Sequence, residues 1–317
     1  MQDDTVRVLR NLRRYQSMKL DAKIRYSLRL IEAALELSNR PMVAWSGGKD
    51  STVLLHLIRE NFLPDIDVVF NDTKVEFPET LKFVRKMSDA WSLNLHIAKP
   101  EPHKDFWWCV EEYGWPLFGK RGSDSIVSHR RGNKPLLSDK LVRVANTEVS
   151  ISKRCCYYLK EKPSRDVERA LESDCKFLGT MAEESQRRRF NWADYGDLYW
   201  HKNDRLWKVL PLSIWLEPDI WEYHERYNIP MCELYQMGHN RNGCWPCTMD
   251  IHFRDNHLAA LRQSHPKLWR FLVIDKGLGK ELVKVKLALD SGQYDMFAQQ
   301  WSIEKLIEQR PCFFDKL

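Results

Sequence analysis

The sequence predicts an α/β fold: a twisted parallel sheet flanked by helices, with helical additions at both ends. Three observations predict it. From residue 41 onward, short apolar runs alternate with stretches of helical periodicity. A glycine turn joins the first apolar run to the helix after it. Residues 4–39, and the chain from about 250, repeat their apolar side chains at helical spacing.

The N-terminal segment, residues 1–40, is expected to be helical throughout. Val8, Leu9, Leu12, Met18, Leu20, Ile24, Leu28, Leu30, Ile31 and Leu35 recur there at three- and four-residue spacings, with Arg and Lys between them. Met42-Val43-Ala44-Trp45 then reads as a buried strand. It leads into Ser46, Gly47, Gly48, Lys49, Asp50 and Ser51, and into a helix carrying Val53, Leu54, Leu55, Leu57 and Ile58. That order builds an anion site. Glycine lets the backbone approach a phosphate, the first helical N–H groups lack partners, and the helix dipole favours negative charge. Lys49 and the Ser46 and Ser51 hydroxyls add donors. The loop is not a Walker A loop, which has four residues between its glycines and Ser or Thr directly after its Lys.

Residues 66–70 form a second strand, 79–92 a helix and 94–97 a third strand. In a parallel sheet, ligands lie beyond the carboxyl ends of the strands, where Asn71, Asp72 and Thr73 fall. The Asp72 carboxylate offers two acceptors and a charge there, suited to a ribose or a metal-bound water. Residues 100–147 break the pattern with Pro100, Pro102, Pro116 and Pro135. Arg121, Arg130, Arg131, Lys134, Lys140 and Arg143 make them a basic insertion, read either as a substrate-facing lid or as a disordered surface loop. A further strand runs from Cys175 to Gly179, and residues 205–211 precede a helix at 218–228. The expected domains are therefore the N-terminal helices, a nucleotide-binding α/β domain over 41–230, and a C-terminal segment over 231–317 ending in a helical cap.

Composition narrows the function classes. The 317 residues are 43% hydrophobic and 30% charged, which fits a globular core without low-complexity tracts. No apolar stretch has the length of a membrane span and Met1-Gln-Asp-Asp is unlike a signal peptide, so a soluble cytoplasmic protein without membrane contact is expected. In that compartment the eight cysteines are expected as thiols or metal ligands. A net charge of +6 suits polyanion handling without separating nucleotide from nucleic acid.

Ser46-Gly-Gly-Lys-Asp-Ser51 resembles the PP-loop of the ATP pyrophosphatase superfamily, whose members cleave ATP to pyrophosphate or bind an adenylyl-sulfate. Further blocks make the resemblance specific. These are Asp72-Thr73 with Phe77-Pro78-Glu79-Thr80, Cys155-Cys156 through Lys160 with Pro163, Gly179 through Glu184-Ser185 and Arg187, and Pro211 through Trp215 to Asp219-Ile-Trp221. Over residues 40–250 the chain resembles the phosphoadenosine phosphosulfate (PAPS) reductase family. The resemblance implies an adenine-nucleotide α-hydrolase-like fold, with ATP and Mg²⁺ or an adenylyl-sulfate at Ser46, Gly47, Gly48, Lys49, Asp50, Ser51, Asp72 and Thr73. It implies Lys49, Asp50 and Asp72 as catalytic groups. Glu184, Ser185 and Arg187 follow the strand ending at Gly179, where an Arg can pair bidentately with phosphate or sulfate.

Cys155-Cys156 and Cys244-Trp-Pro-Cys247 supply four thiolates, suited to tetrahedral zinc or an iron–sulfur cluster. Adjacent cysteines diverge, which is awkward for zinc. The spacing resembles the 4Fe–4S arrangement of cluster-containing adenylyl-sulfate reductases and of DNA-phosphorothioation pyrophosphatases, with zinc or a redox dithiol as alternatives. Cys109, Cys175, Cys232 and Cys312 read as small hydrophobes. Cys109, in the basic insertion, is the first candidate for an exposed persulfide carrier.

Reductases of the family attack with a tail cysteine in a Glu-Cys-Gly-hydrophobic-His segment. Here the last cysteine lies in Arg310-Pro-Cys312-Phe-Phe-Asp, without the glycine or the His. The expected function is therefore an ATP pyrophosphatase that adenylates an acceptor for sulfur transfer in DNA phosphorothioation. A cysteine desulfurase is the expected donor, and DNA or a DNA-modification complex the acceptor, with a tRNA base as the other acceptor considered. A PAPS or adenylyl-sulfate reductase producing sulfite is the first alternative, and a non-catalytic nucleotide-binding scaffold subunit the second. A homodimer is one assembly the sequence allows.

Overall fold

Val43, Val68, Val69 and Phe70 are β-branched or aromatic side chains that suit a pleated surface covered on both faces. In the computed structural model, which describes residues 2–249 and 257–289, they form the centre of a six-stranded sheet. With elements numbered along the whole chain, its strands are β1 (Pro41–Ala44), β2 (Asp67–Asn71), β3 (Asn94–Ala98), β4 (Cys175–Leu178), β5 (Leu198–His201) and β6 (Leu206–Val209). They lie in the order β3-β2-β1-β4-β6-β5. Val43 stands opposite Val68 on one side and Phe177 on the other, in parallel register. Only the pairing of β5 with β6, which sets Trp200 opposite Trp207, is antiparallel. The expected twisted sheet of mostly parallel strands flanked by helices is present, extended by a hairpin at one edge. That hairpin, inside and just before the stretch expected only to precede a helix, is an addition to the expectation.

The chain leaves β1 toward β2 and β3, then returns across β1 to β4. The reversal makes the carboxyl ends of β1 and β4 the switch point, where ligands bind in such sheets. Helices α3 (Lys49–Asn61), α4 (Pro78–Ala90), α9 (Lys162–Ala170), α10 (Gln186–Tyr195) and α11 (Glu217–Arg226) accompany the strands. Val167 on α9 and Leu171 just after it pack on Met42, Val69 and Ala98. α3 buries Val53, Leu54, Leu55, Leu57 and Ile58 and packs along β4.

The N-terminal segment is two helices instead of one: α1 (Gln2–Gln16) and α2 (Leu20–Glu36). Ser17 Oγ bonds back to the Arg14 carbonyl at 2.8 Å, and Lys19 is extended at φ −65° and ψ 154°. A serine that competes for backbone partners ends the helix there.

The chain divides into two compact units. One comprises the described residues up to 72, with 78–99 and 162–235, and holds the whole sheet. The other comprises 73–77, 100–161 and the described residues from 236 onward. In this second unit the basic insertion is folded, which corrects the reading of a disordered surface loop. It forms α5 (Phe106–Tyr113), α6 (Lys120–Arg130) and α7 (Asp139–Ala145). Asp105 caps α5, its Oδ1 accepting from Trp108 N at 2.8 Å. The insertion then continues through α8 (Arg154–Cys156) into a π turn at Tyr157–Glu161. The remaining elements are α12 (His257–Ser264), α13 (Pro266–Arg270), a π turn at Phe271–Asp275 and α14 (Leu278–Leu289), matching the expected C-terminal helices. Cys312 lies outside the described residues. No helix among the described residues is long and apolar enough to cross a membrane.

Candidate functional site

The glycine loop follows β1 at the switch point. Trp45 N still donates to Val69 O at 2.9 Å, so the strand direction carries to the loop's first residue. Gly47 then turns the chain at φ 70°, a left-handed conformation that costs a side-chain-bearing residue steric energy. Gly48 is the N-cap of α3. Hydroxyls hold the turn: Ser46 Oγ and Ser51 Oγ lie 3.0 Å apart, and Ser46 N donates to Ser51 Oγ at 3.2 Å. Thr52 Oγ1 donates to Gly48 O at 2.8 Å and accepts from the Trp45 indole at 3.0 Å.

Beyond β4, Gly179 lies directly on this turn. A Cβ there would come within 2.9 Å of Ser51 Cα and 3.0 Å of Ser51 N. The start of α3 therefore rests on the backbone at the end of β4, which fixes where its first N–H groups stand.

Lys49 is buried, with 7% of its side chain exposed. Its ammonium lies 3.2 Å from Glu217 Oε1 and 3.6 Å from Asp50 Oδ1, with the Trp221 and Tyr235 rings 5.9 and 5.6 Å away. Its backbone N–H donates to Tyr235 Oη at 2.9 Å, and His224 Nε2 bonds its carbonyl at 3.0 Å. Burial pushes the Asp50 carboxyl up, partly offset by Lys49. Asp50 Oδ1 is buried and accepts no hydrogen bond among the described groups.

The other expected residues divide between the units. Asp72 directly follows β2, with its N–H on Ala98 O at 2.9 Å. Thr73, the next residue, belongs to the second unit. Glu184 accepts from Met181 N at 2.9 Å and pairs with Arg188 instead of the neighbouring Arg187. Ser185 caps α10, its Oγ accepting from Arg188 N at 3.2 Å, while Arg187 is exposed. Glu217, Trp221 and Tyr235 were not singled out from the sequence as partners of the loop. The only sequence signal for them was the Trp215-to-Trp221 block, which carries no register to Lys49.

The second unit gathers the four expected cysteines, all as thiols. Residues Glu76 and Cys244 form an isolated antiparallel bridge, and Trp245 N donates to Val75 O at 2.9 Å. Glu76 Oε1 accepts from Thr73 Oγ1 at 2.8 Å and lies 3.9 Å from Cys244 Sγ and 3.8 Å from Lys160 Nζ. The hydrogen bond shared by Cys155 and Cys156 lowers Cys156 and raises Cys155, with Lys120 and Lys160 also favouring the Cys156 thiolate. Cys244 and Cys247 add to the rise at Cys155, and Cys244 is the largest influence holding Lys160 protonated. The four sulfurs thus lie within electrostatic reach of one another. Among the described residues no group of three or more His, Cys, Asp or Glu side chains could hold a metal ion. Four thiols are the donor type that an iron–sulfur cluster takes, here, among the described residues, without the convergence of side chains that a bound metal requires.

Cys109 corrects one expectation. It is buried, with its thiol pushed up to about 12 chiefly by desolvation, so it is a core side chain and not an exposed sulfur carrier.

Residues 40–250, more than half of the chain, match the family described as the phosphoadenosine phosphosulfate reductase domain. The chain is 28% identical to an adenosine 5'-phosphosulfate reductase of Oceanobacillus iheyensis, over 70% of this chain and 78% of that one. It is 25% identical to a phosphoadenosine 5'-phosphosulfate reductase of Xylella fastidiosa, over 74% and 80%. An uncharacterized protein of Methanocaldococcus jannaschii is 30% identical over 79% of the chain, which spans 44% of that relative's length. Among solved structures, the PAPS reductase of Candida auris, in a phosphate complex, is similar with a TM-score of 0.48 and 18% identity. That similarity covers 72% of this chain and 97% of the other.

Proposed function

The chain belongs to the phosphoadenosine phosphosulfate reductase domain family, and from that premise we propose that it is an enzyme that binds an adenylyl-sulfate at the loop between β1 and α3 and releases sulfite from it. The observation that carries the reading is the loop itself. Gly47 turns at φ 70°, Gly179 seats the start of α3, and Lys49, the first residue of that helix, is buried with its ammonium 3.6 Å from Asp50 Oδ1. The relatives named as reductases support it over most of their length.

In this reading Lys49 and the amides of α3 hold the anionic end of the nucleotide. A thiolate of a dithiol co-substrate attacks the sulfur, the S–O bond breaks with its electron pair going to AMP, and an S-sulfonate forms. A second thiol attacks the first sulfur, releasing sulfite and leaving a disulfide, so the two thiols supply the two electrons. Cys155, Cys156, Cys244 and Cys247 would hold a 4Fe–4S cluster, which supplies an electrophilic, redox-capable iron centre when bound. Lys160 balances the thiolate charge, and Glu76 anchors Thr73 and the Cys244 bridge.

A second reading rests on the residues around Cys312, which lack the glycine and the His of the reductase segment. In it an acceptor oxygen attacks the α-phosphorus of ATP, pyrophosphate leaves with Mg²⁺ and Lys49 stabilising its charge, and sulfur then displaces AMP. The donor would be a cysteine desulfurase, and the acceptor DNA or a DNA-modification complex.

One experiment separates them. Anaerobically purified protein is given adenosine 5'-phosphosulfate or its 3'-phosphorylated form with a dithiol, and in parallel ATP and Mg²⁺ with and without DNA. Sulfite and AMP that disappear with Lys49→Ala would support the reductase. Lys49-dependent pyrophosphate without sulfite would replace it with the second reading, and silence in both arms would leave only a nucleotide-binding subunit. For Lys49→Ala, turnover is expected to fall by at least about 100-fold.

A further inference from the structure

A buried lysine has to be neutralised, because an unpaired buried charge is costly. Here the chain does so with its own groups. Glu217 Oε1 lies 3.2 Å from Lys49 Nζ, and Tyr235 Oη accepts the Lys49 backbone N–H at 2.9 Å. Those are the ammonium and one of the first helical amides that a phosphate or sulfate at this loop would take. The two acceptors come from different elements: Glu217 opens α11, and Tyr235 ends the turn Glu233–Tyr235.

Glu217 is the partner built to leave. Its side chain is 54% exposed, against 24% for Asp50 and 7% for Lys49. Its backbone stays anchored, since Glu217 N donates to Glu183 Oε1 while Leu216 N is held by Asp219 Oδ2 at 2.6 Å. Asp219 is in turn held by the buried Lys23 at 2.5 Å. The carboxylate can therefore rotate into solvent without moving the helix. While it stays, Lys49 faces two carboxylates, and the local charge opposes an incoming anion.

We propose that Glu217 is a positioning residue acting through Lys49: it competes for the ligand's anion position at the loop, holds the ammonium near the Trp221 and Tyr235 rings, and is displaced by the phosphate or sulfate of the nucleotide. Tyr235 does the same for the first amide of α3. This rests on the reading of the loop as a nucleotide site and adds a built-in competitor to it.

The test is calorimetric titration of the intact protein with inorganic pyrophosphate and with ATP, on wild type, Glu217→Gln, Glu217→Asp and Tyr235→Phe, with melting temperature as a check on folding. Glu217→Gln is expected to bind both probes roughly five- to tenfold more tightly, as removal of a competing bound state requires. Glu217→Asp should stay close to wild type, because the charge is kept, and Tyr235→Phe should also tighten binding. Unchanged or weaker binding in folded Glu217→Gln would overturn the inference while leaving the nucleotide site standing. If Glu217→Gln does not fold, Tyr235→Phe decides by the same criterion. Absence of pyrophosphate and ATP binding in the folded wild type and every variant would remove this inference, and the sulfite assay decides the adenylyl-sulfate reading separately.

Discussion

At the scale of single residues, the site depends on two glycines with different duties. Gly47 supplies a backbone angle, and Gly179 supplies space. The space is the more demanding, since the atoms a Cβ would strike are the Ser51 backbone and cannot rotate away. Gly179→Ala is expected to lower unfolding free energy by about 1–3 kcal/mol and to weaken pyrophosphate binding, because relief of the overlap lifts the start of α3. Denaturant unfolding and the titration described above would check both; an alanine variant with unchanged binding would mean that the helix start is not set by this contact. The need for Gly47 follows from the motif itself, because a glycine turn is a local property that the sequence states directly. The role of Glu217 is not local. It lies far along the chain from Lys49, and nothing in Leu216-Glu217-Pro218 distinguishes a partner of a buried lysine from an ordinary first-turn acid at a helix N-terminus.

At the scale of elements, the basic insertion shows how charge can be spent inside a fold. Arg130 donates from Nε to Ala145 O at 2.8 Å, from Nη1 to Val149 O at 2.8 Å, and from Nη2 to Val144 O at 3.2 Å and Thr147 O at 3.0 Å. It closes the carboxyl end of α7, where carbonyls lack helical partners. Burial pushes its guanidinium down. Arg143 does similar work on α14, donating to Ala288 O and Leu289 O at 2.8 and 3.1 Å. Arg130→Ala is therefore expected to cost about 3 kcal/mol and to speed amide exchange across 139–149 without changing nucleotide affinity. Arg130→Lys should recover little, since an ammonium cannot fork. Exchange at wild-type rates in Arg130→Ala would contradict the capping role. These helices were hard to read in advance because prolines and glycines punctuate them and each is short. β1, β2 and β4 were legible because their apolar runs are largely buried in the sheet, and β3, exposed at the other edge, because a clear helix precedes it. β5 was not, since Leu198-Tyr-Trp-His is a half-exposed edge strand whose partner β6 alone defines it.

At the scale of the molecule, the chain passes between its two units at 72–73, 77–78, 99–100, 161–162 and 235–236. The second unit draws one cysteine pair from before residue 162 and the other from after 235, so a cluster there would tie distant segments together and stabilise that unit by closing a long loop. Iron removal from anaerobic protein should then lower one calorimetric transition and leave the one carrying the sheet in place. A profile indifferent to iron removal would argue that the thiols serve without a cluster. The sheet order has a consequence for synthesis as well. β1 pairs with β4 from Pro41 opposite Cys175, and the whole insertion is translated between them. At ordinary ribosome speeds that interval is on the order of ten seconds. Throughout it the nascent chain presents β1 with one hydrogen-bonding edge open and the glycine loop unsupported. Codon choice and chaperone access across residues 100–161 would therefore govern how much active protein a cell obtains from each message.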